Sequence, residues 1–146
     1  MTIELAQLYD CKELNHFEKK LFSAENFPLS YGSFYYHIQN NLLYVAKIRG
    51  VIVGYILTLV KRKTAKIYSI GVSKLYRKRK ISTQLLQKTL FKLQSLNFQK
   101  VVLEVRVDNT SAIQFYEKNH FKSLKTIHSF YQDGCDAYFM EKTLAN

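Results

Sequence analysis

The sequence predicts an α/β sandwich built on a mixed β-sheet. Hydrophobic periodicity alternates between strand-like and helix-like segments in the order β-α-α-β-β-β-α-β-α-β-β. A strand, a long amphipathic helix and a second strand, from Ile67 to Val105, predict a parallel crossover unit at the centre. The dipeptides Arg49-Gly50 and Asp133-Gly134 predict the turns of two antiparallel hairpins. Ligands of such folds bind at the carboxyl ends of the parallel strands, here Gly71-Val72 and Val105-Arg106.

The first half of the chain is predicted to form a strand, two helices and three further strands. Asp10 and Ser30 are favourable N-cap residues for the two helices. Pro28 separates these helices, because proline cannot sit inside a helix. The predicted strands span residues 3–8, 42–48, 51–60 and 66–72, and the predicted helices span residues 10–22 and 30–40.

The second half contains the clearest helix, predicted over residues 80–97. Its apolar residues lie within half of the helical wheel, so one face packs on the sheet: Ile81, Leu85, Leu86, Leu90, Leu93 and Leu96. A strand over residues 101–107 follows, and Asn109 is a good N-cap for a helix over residues 110–119. Residues 121–130 and 135–142 are predicted to form the last hairpin.

Size and composition favour one compact domain over residues 1–146. The chain is 47% hydrophobic and 14% aromatic, with one proline, so it can bury a sizeable core. No apolar run reaches the ~18 residues of a membrane span, and the acidic start lacks a signal-peptide pattern, which predicts a cytoplasmic protein with no membrane partner. Cys11, Cys135 and four scattered histidines form no ligand motif, so we expect reduced thiols and no metal.

Positive charge is concentrated in the middle of the chain. The formal net charge is +11, and residues 26–103 contain no Asp or Glu. Nine cations lie within residues 61–80: Lys61, Arg62, Lys63, Lys66, Lys74, Arg77, Lys78, Arg79 and Lys80. This distribution predicts attraction to an anion. The alternative is a solvated surface, which we favour for residues 61–63 at their predicted hairpin turn.

Part of this basic region, Arg77 to Ser82, precedes the start of the long helix. Unpaired N–H groups at a helix start, together with the helix dipole, bind phosphate groups. The adjacent cations raise the local anion concentration further. The segment therefore predicts a pyrophosphate site.

A carboxylate interrupts an apolar strand at Glu104. A buried carboxylate without partners has a pKa raised towards neutrality, which is the range of a general base. Strand periodicity alone slightly favours the alternative, in which Glu104 faces solvent and pairs with Arg106 or a neighbouring lysine. Tyr116 is a candidate acid, although such a tyrosine is more often a core ring.

The region from Ile67 to Leu144 contains a specific motif, Leu-Glu-Val-Arg-Val-Asp-Asn-Thr-Ser-Ala-Ile-Gln-Phe-Tyr-Glu over residues 103–117, followed by Phe121. It resembles the GNAT superfamily of acetyl-coenzyme A dependent N-acetyltransferases, and within it the ribosomal-protein-alanine type, which acetylates protein N-terminal amino groups. Phe130-Tyr-Gln-Asp-Gly134 fits that subgroup, and Phe27-Pro-Leu-Ser-Tyr31 resembles the loop that shapes its peptide pocket. The resemblance implies a three-layer α/β/α sandwich.

The resemblance also implies the roles of individual residues. Glu104 matches the base and Tyr116 the residue that protonates the departing thiolate, while Tyr68 is a reserve candidate for either role. The implied coenzyme contacts are Ile70, Gly71, Val72, Arg77, Lys78, Arg79, Lys80, Ile81, Ser82, Thr83, Asn109 and Tyr116. The implied peptide contacts are Phe27, Leu29, Tyr31, Tyr68 and Tyr131. Acetyl-coenzyme A is the implied co-substrate.

The coenzyme loop departs from the family pattern R-x-x-G-x-G/A. Lys80 and Ser82 stand where the family has glycine and glycine or alanine, and Lys78 replaces another frequent glycine. A lysine Cβ obstructs close approach of the backbone to phosphate or demands a different backbone. Serine is small, however, and lysine side chains can pair with phosphates. We favour an active enzyme.

The expected reaction is direct attack by a neutral amine on the acetyl thioester. An α-amino group has a pKa of about 7.7 to 8.0, against about 10.4 for lysine, so a carboxylate acting through water deprotonates it more easily. Backbone N–H groups at the end of the strand over residues 70–72 are expected to stabilise the oxyanion. The expected partner is a protein N-terminus, with a ribosomal protein as one possible acceptor.

Two other functions stay open. The first is a basic module that binds RNA or the ribosome and has lost its coenzyme, which the +11 charge and the missing glycines favour. The second is an acetyltransferase for a small polyamine or aminoglycoside. It is disfavoured because a polycation needs several carboxylates and residues 26–103 supply none.

Overall fold

A seven-stranded β-sheet forms the centre of the fold, and the computed structural model describes residues 1–22 and 28–144. The strands are hydrogen-bonded in the order β1-β2-β3-β4-β5-β7-β6. They are β1 (Thr2–Leu5), β2 (Leu42–Ile48), β3 (Val51–Lys61), β4 (Thr64–Val72), β5 (Lys100–Arg106), β6 (Lys122–Ile127) and β7 (Ala137–Thr143). The helices are α1 (Cys11–Leu21), α2 (Tyr31–Asn40), α3 (Ile81–Ser95) and α4 (Thr110–Lys118). This order confirms the predicted α/β class.

Helices cover both faces of the sheet. On one face, α3 and α4 contribute Leu85 and Tyr116 to a core that includes Leu103 of β5. On the other face, α1 and α2 contribute Leu14 and Phe34 to a second core around β3. The fold is therefore a three-layer sandwich, as the resemblance implied.

Two predicted helix caps are confirmed. The Ser30 hydroxyl accepts a hydrogen bond from the Ser33 N–H at 3.1 Å, at the start of α2. The Asn109 side-chain oxygen accepts one from the Ala112 N–H at 3.2 Å, at the start of α4. Each cap satisfies an N–H group that the first helical turn leaves unpaired.

Asp10 occupies the N-cap position of α1, as predicted, but its side chain does not cap the helix. Its carboxylate accepts the Gln7 N–H at 2.8 Å and pairs with Lys47 Nζ at 2.9 Å, and it makes no cap bond to α1. These contacts close a short 3-10 helix over Leu8–Asp10. As a result β1 ends at Leu5, three residues before the predicted end.

The last hairpin has a longer connection than predicted. β6 ends at Ile127 and β7 begins at Ala137, so residues 128–136 form a loop. Asp136 accepts the Ser129 N–H at 2.9 Å, and the Gly134 N–H donates to the Tyr131 carbonyl at 2.9 Å. The loop's own hydrogen bonds thus replace the strand ladder.

The parallel strands β4 and β5 separate after a short paired stretch. Only Thr64–Lys66 pair with residues 100–102, so the ladder lies at the start of both strands rather than across the predicted 67–105 unit. β4 continues to Val72 and β5 to Arg106 without pairing each other. The sheet therefore has an opening at the carboxyl ends of its two parallel strands.

The β3–β4 ladder contains a bulge next to this opening. Leu57 pairs with Ser69 and Thr58 with Ile67, so Tyr68 has no partner in β3. Further along β4, a Cβ on Gly71 would collide with Leu21 of α1. Glycine at this position lets α1 pack close to the opening.

No helix in the two described ranges is long and apolar enough to cross a membrane.

Candidate active site

A pocket at the N-terminus of α3 lies on the α3–α4 side of the sheet. Its volume is about 260 Å³, and its lining is Val72, Tyr76, Arg77, Lys78, Lys80, Ile81, Ser82, Thr83 and Phe115. α3 has no side-chain N-cap, and the first helical hydrogen bond runs from the Gln84 N–H to the Lys80 carbonyl. The N–H groups of residues 81–83 are therefore available to a ligand. Together with the surrounding cations they suit a diphosphate.

Two lysines of this pocket have the backbone conformation that glycine favours. Lys78 has φ +65° and Lys80 has φ +61°, and both side chains are exposed. A left-handed conformation costs about 1–2 kcal/mol for a residue with a Cβ. The loop thus keeps a glycine-like backbone without the glycines, and the two ammonium groups are added to the pocket.

Of the other predicted coenzyme residues, Val72 lines the pocket and the rest lie outside it. Ile70 and Gly71 precede Val72 in the part of β4 that borders the opening. Arg79 is outside the lining, and its guanidinium lies 5.2 Å from the centre of the Tyr76 ring. Asn109 is exposed and caps α4.

Glu104 lies on the opposite face of β5 from the pocket. Leu103 and Val105 belong to the α3–α4 core, and successive side chains of a strand point to opposite faces. The Glu104 side chain is only 12% exposed, and its Oε1 lies 2.6 Å from Lys66 Nζ. The structure therefore matches the sequence alternative in part, because Glu104 pairs with a lysine but does not face open solvent.

Tyr131 lies within electrostatic range of Glu104, and Tyr116 lies within electrostatic range of Tyr131. Burial, followed by the negative charge of Glu104, raises the pKa of Tyr131. Tyr116 is buried against Phe115 and Phe121, with ring centres 5.2 and 5.5 Å away. Burial raises the pKa of Tyr116 above its ordinary value of 10.0, and ionisation of the neighbouring Tyr131 raises it further. Both phenols therefore keep their protons at neutral pH.

Arg106 connects the end of β5 to the loop that carries Tyr131. Its guanidinium donates hydrogen bonds to Asp133 at 2.7 Å and to Asp108 at 3.1 Å. It also lies 5.0 Å from the centre of the Tyr131 ring. These hydrogen bonds hold the pKa of Asp133 and that of Asp108 below their usual range. The β6–β7 loop is thus fixed beside the opening by charge.

A buried hydrogen-bond network fixes the other side of the opening. Glu18 of α1 accepts the Tyr55 hydroxyl at 2.7 Å and the Leu29 N–H at 2.8 Å. Because Tyr55 donates to Glu18, the Ser69 hydroxyl of β4 donates to Tyr55, at 2.7 Å. Asn15 adds a hydrogen bond to the Leu29 carbonyl at 3.2 Å. Leu29 is thereby held next to β4.

Of the remaining predicted peptide contacts, Tyr31 and Tyr68 lie within the described residues. Tyr31 begins α2 and Tyr68 is the bulge residue of β4, and both are about half exposed. The Tyr68 ring centre lies 6.4 Å from that of His37. Phe27 lies outside the described residues.

The edge of β4 that borders the opening carries backbone N–H groups. The Ser73 N–H donates to the Val53 carbonyl of β3 at 2.8 Å. Successive N–H groups of a strand point to opposite edges, so those of Ile70 and Val72 point away from β3. They face the opening, because β5 no longer pairs with β4 there.

Sequence reasoning missed the partners of the candidate residues. Lys66 was one of nine cations, and nothing local identified it as the lysine beside Glu104. Glu18 and Tyr55 were not singled out, although a glutamate one residue after Phe17, on the apolar face of an amphipathic helix, is a signal of a buried carboxylate.

The pocket at the start of α3, here called the anion pocket, and the Glu104 carboxylate lie on opposite faces of an opened parallel pair, an arrangement suited to group transfer in an α/β enzyme. The model of the acetyltransferase (GNAT) family matches residues 5–121, and the chain belongs to that family. It is an N-acetyltransferase, and the family uses acetyl-coenzyme A.

Relatives and solved structures agree with this assignment. The N-alpha-acetyltransferase of Sulfurisphaera tokodaii is 36% identical over 86% of this chain and 83% of its own length. The N-alpha-acetyltransferase of Sulfolobus acidocaldarius is 32% identical over 97% of this chain and 92% of its own. In fold, the ribosomal-protein-S18-alanine N-acetyltransferase of Escherichia coli is similar, with a TM-score of 0.88 at 24% identity, covering 99% of this chain and 94% of that chain.

Proposed function

We propose that the protein transfers the acetyl group of acetyl-coenzyme A to the N-terminal α-amino group of a protein or peptide. The observation that carries the proposal is the position of Glu104, on the face of the sheet opposite the anion pocket and beside the opening. Relatives at 36% and 32% identity bear the name N-alpha-acetyltransferase. A ribosomal protein is one proposed acceptor, and the cytoplasm is the proposed location.

The residues of the anion pocket fit the diphosphate of the coenzyme. Its phosphates would accept hydrogen bonds from the N–H groups of Ile81, Ser82 and Thr83 and pair with the cations at residues 77–80. The pantetheine arm would lie along residues 70–72, and Asn109 would contact the coenzyme from α4. When bound, the coenzyme supplies an acetyl thioester, a reactive acyl donor for an amine.

Glu104 is the proposed base. An acceptor α-ammonium has a pKa of about 7.7 to 8.0, so a carboxylate can remove its proton through one water at modest cost. A lysine ε-ammonium, at about 10.4, would demand about 2.5 further pKa units, or about 3.4 kcal/mol. This difference favours protein N-termini over lysine side chains.

The other proposed roles follow from burial and backbone direction. The N–H groups of Ile70 and Val72, directed into the opening, would donate to the oxygen of the attacked carbonyl. Tyr116 is the proposed proton donor to the departing sulfur, since burial raises its pKa and it therefore carries its proton at neutral pH. Leu29, Tyr31, Tyr68 and Tyr131, with Phe27, are proposed to surround the acceptor peptide.

Acetylation of a peptide array by the purified protein tests the proposed function. Each peptide is offered with a free α-amino group, or with a blocked α-amino group and one internal lysine. We expect acetyl-coenzyme A dependent transfer to free α-amino groups and at least tenfold slower transfer to lysine. Absence of transfer to every free N-terminus, together with a gel shift of RNA, would instead favour the coenzyme-free basic module.

A further inference from the structure

A second pocket lies at the other end of the parallel pair. Its volume is about 500 Å³, and its lining is Leu59, Lys61, Arg62, Thr64, Lys66 and Val102. Within residues 1–22 and 28–144, no carboxylate forms an ion pair with Lys61 or Arg62. The pocket thus combines two aliphatic side chains with three cations, two of which have no acidic partner in the described chain.

This basic pocket lies on the same face of the sheet as Glu104. Ala65 and Ile67 belong to the α3–α4 core, so Lys66 between them points to the α1–α2 face. Val102 is two residues before Glu104 in β5 and shares its face, about 6.6 Å away along the strand. A peptide whose N-terminus lies at Glu104 can therefore extend over the pocket.

Lys66 lies between the basic pocket and Glu104 and contributes to both. It lines the basic pocket and its Nζ lies 2.6 Å from Glu104 Oε1. The Lys66 side chain is 36% exposed, so it has room to turn towards the pocket. In its present position its ammonium competes with an incoming α-ammonium for the same carboxylate.

We propose that the basic pocket binds an Asp or Glu side chain of the acceptor peptide, and that this carboxylate draws Lys66 away from Glu104. The inference rests on the proposed function and names the acceptor class: peptides with an acidic residue at positions 2 to 4. An extended chain advances about 3.3 Å per residue, so these side chains reach from Glu104 to Val102 and beyond. Acceptor binding thereby exchanges one ion pair for another and leaves Glu104 open to the α-amino group.

The test compares an acidic peptide with its amide twin. Two peptides begin Ala-Asp-Glu and Ala-Asn-Gln and are otherwise the same, and kcat/KM is measured with acetyl-coenzyme A. We expect the acidic peptide to be acetylated about fivefold to tenfold more efficiently, which is the scale of one to two partly exposed ion pairs. In Lys66→Met the preference should disappear, so that the ratio of kcat/KM for the two peptides falls to about one.

Lys63→Met is the matched control, because Lys63 lies in the same turn but does not line the pocket. It should keep the preference. Equal kcat/KM for the two peptides in the wild type, within twofold, or a preference that survives in Lys66→Met, would overturn the inference.

Fluorescence anisotropy of the labelled peptides separates this inference from the proposed function. The acidic peptide should bind the wild type at least fivefold more tightly than its twin, and Lys66→Met should remove the difference. Preferential binding without any acetylation contradicts the proposed function alone. Equal binding of the twins, or displacement of the acidic peptide by an RNA oligonucleotide but not by excess unlabelled peptide, contradicts the inference.

Discussion

Glu104 and Tyr116 have different proposed tasks because their surroundings differ. Glu104 is partly buried and its carboxylate is paired with the ammonium group of Lys66. Tyr116 is enclosed by aromatic rings, and burial raises its pKa, so it is held as a phenol that can donate one. The two proposed roles, proton acceptor and proton donor, are thus compatible at the same pH.

Glu104→Gln and Tyr116→Phe should each lower kcat about 10²-fold or more, which is the usual scale of general acid–base catalysis. Steady-state kinetics with an α-amino peptide measure the effect. Glu141→Gln is a control, because Glu141 lies on the neighbouring strand β7, opposite Val102 of β5, and makes an ion pair with Lys100. Full activity of both site variants would remove the proposed roles.

The pH profile of the wild type belongs to the same prediction. Activity should rise as the acceptor α-ammonium loses its proton near pH 8. Because burial raises the pKa of Tyr116, the proton of Tyr116 stays bound through pH 10, so no fall from its ionisation is expected below that value. A loss of activity near pH 9 that is absent in Tyr116→Phe would contradict the assignment.

At the scale of elements, the backbone conformation of the loop before α3 is set by the packing of that helix. Lys80 is the N-cap of α3 and adopts φ +61°, a conformation in which glycine carries no Cβ penalty. The packing of Ile81 and Leu85 against the sheet holds α3 in place and thereby fixes this conformation. The fold tolerates the lysine at a local energetic cost.

Lys80→Gly should therefore raise the free energy of unfolding by up to about 1 kcal/mol, the left-handed cost less the entropy glycine gains on unfolding. Urea denaturation measures the change. Lys80→Ala is the control, because it removes the same charge and retains the Cβ. If alanine stabilises the protein as much as glycine does, the effect comes from charge and not from backbone strain.

Most elements were predictable because their signals are local. The caps at Ser30 and Asn109, the apolar face of α3 and the turn at Arg49-Gly50 each involve residues close in sequence. The contacts of the site were not predictable, because they join distant segments. The Lys66–Glu104 pair depends on the register of β4 and β5, and the Glu18–Tyr55 contact depends on how α1 crosses the sheet.

At the scale of the whole molecule, part of the excess positive charge lies where the coenzyme is proposed to bind. Lys78 and Lys80 line the anion pocket, and no acidic residue lies between Glu25 and Glu104 in the sequence. A polyanion is attracted to such a surface from a distance set by the ionic strength.

Reversing Lys78 and Lys80 to Glu should weaken coenzyme binding, and most strongly at low salt. The Debye length falls from about 30 Å at 0.01 M to about 8 Å at 0.15 M, so added salt should reduce the difference from the wild type. Calorimetric titration at several salt concentrations measures it. Lys88→Glu with Lys92→Glu makes the same charge change further along α3, outside the lining, and should weaken binding less. Equal effects would mean that the phosphates bind elsewhere.

The separation of β4 from β5 also has a kinetic consequence. The proposed donor and acceptor sites lie on opposite faces of the sheet and meet only in the opening, so in this arrangement neither substrate has to leave before the other arrives. The protein is therefore suited to a ternary complex and to sequential kinetics with intersecting double-reciprocal plots. For the same reason, a bisubstrate conjugate that joins a peptide to the coenzyme through a short tether would pass through the opening between β4 and β5 and occupy both proposed sites at once.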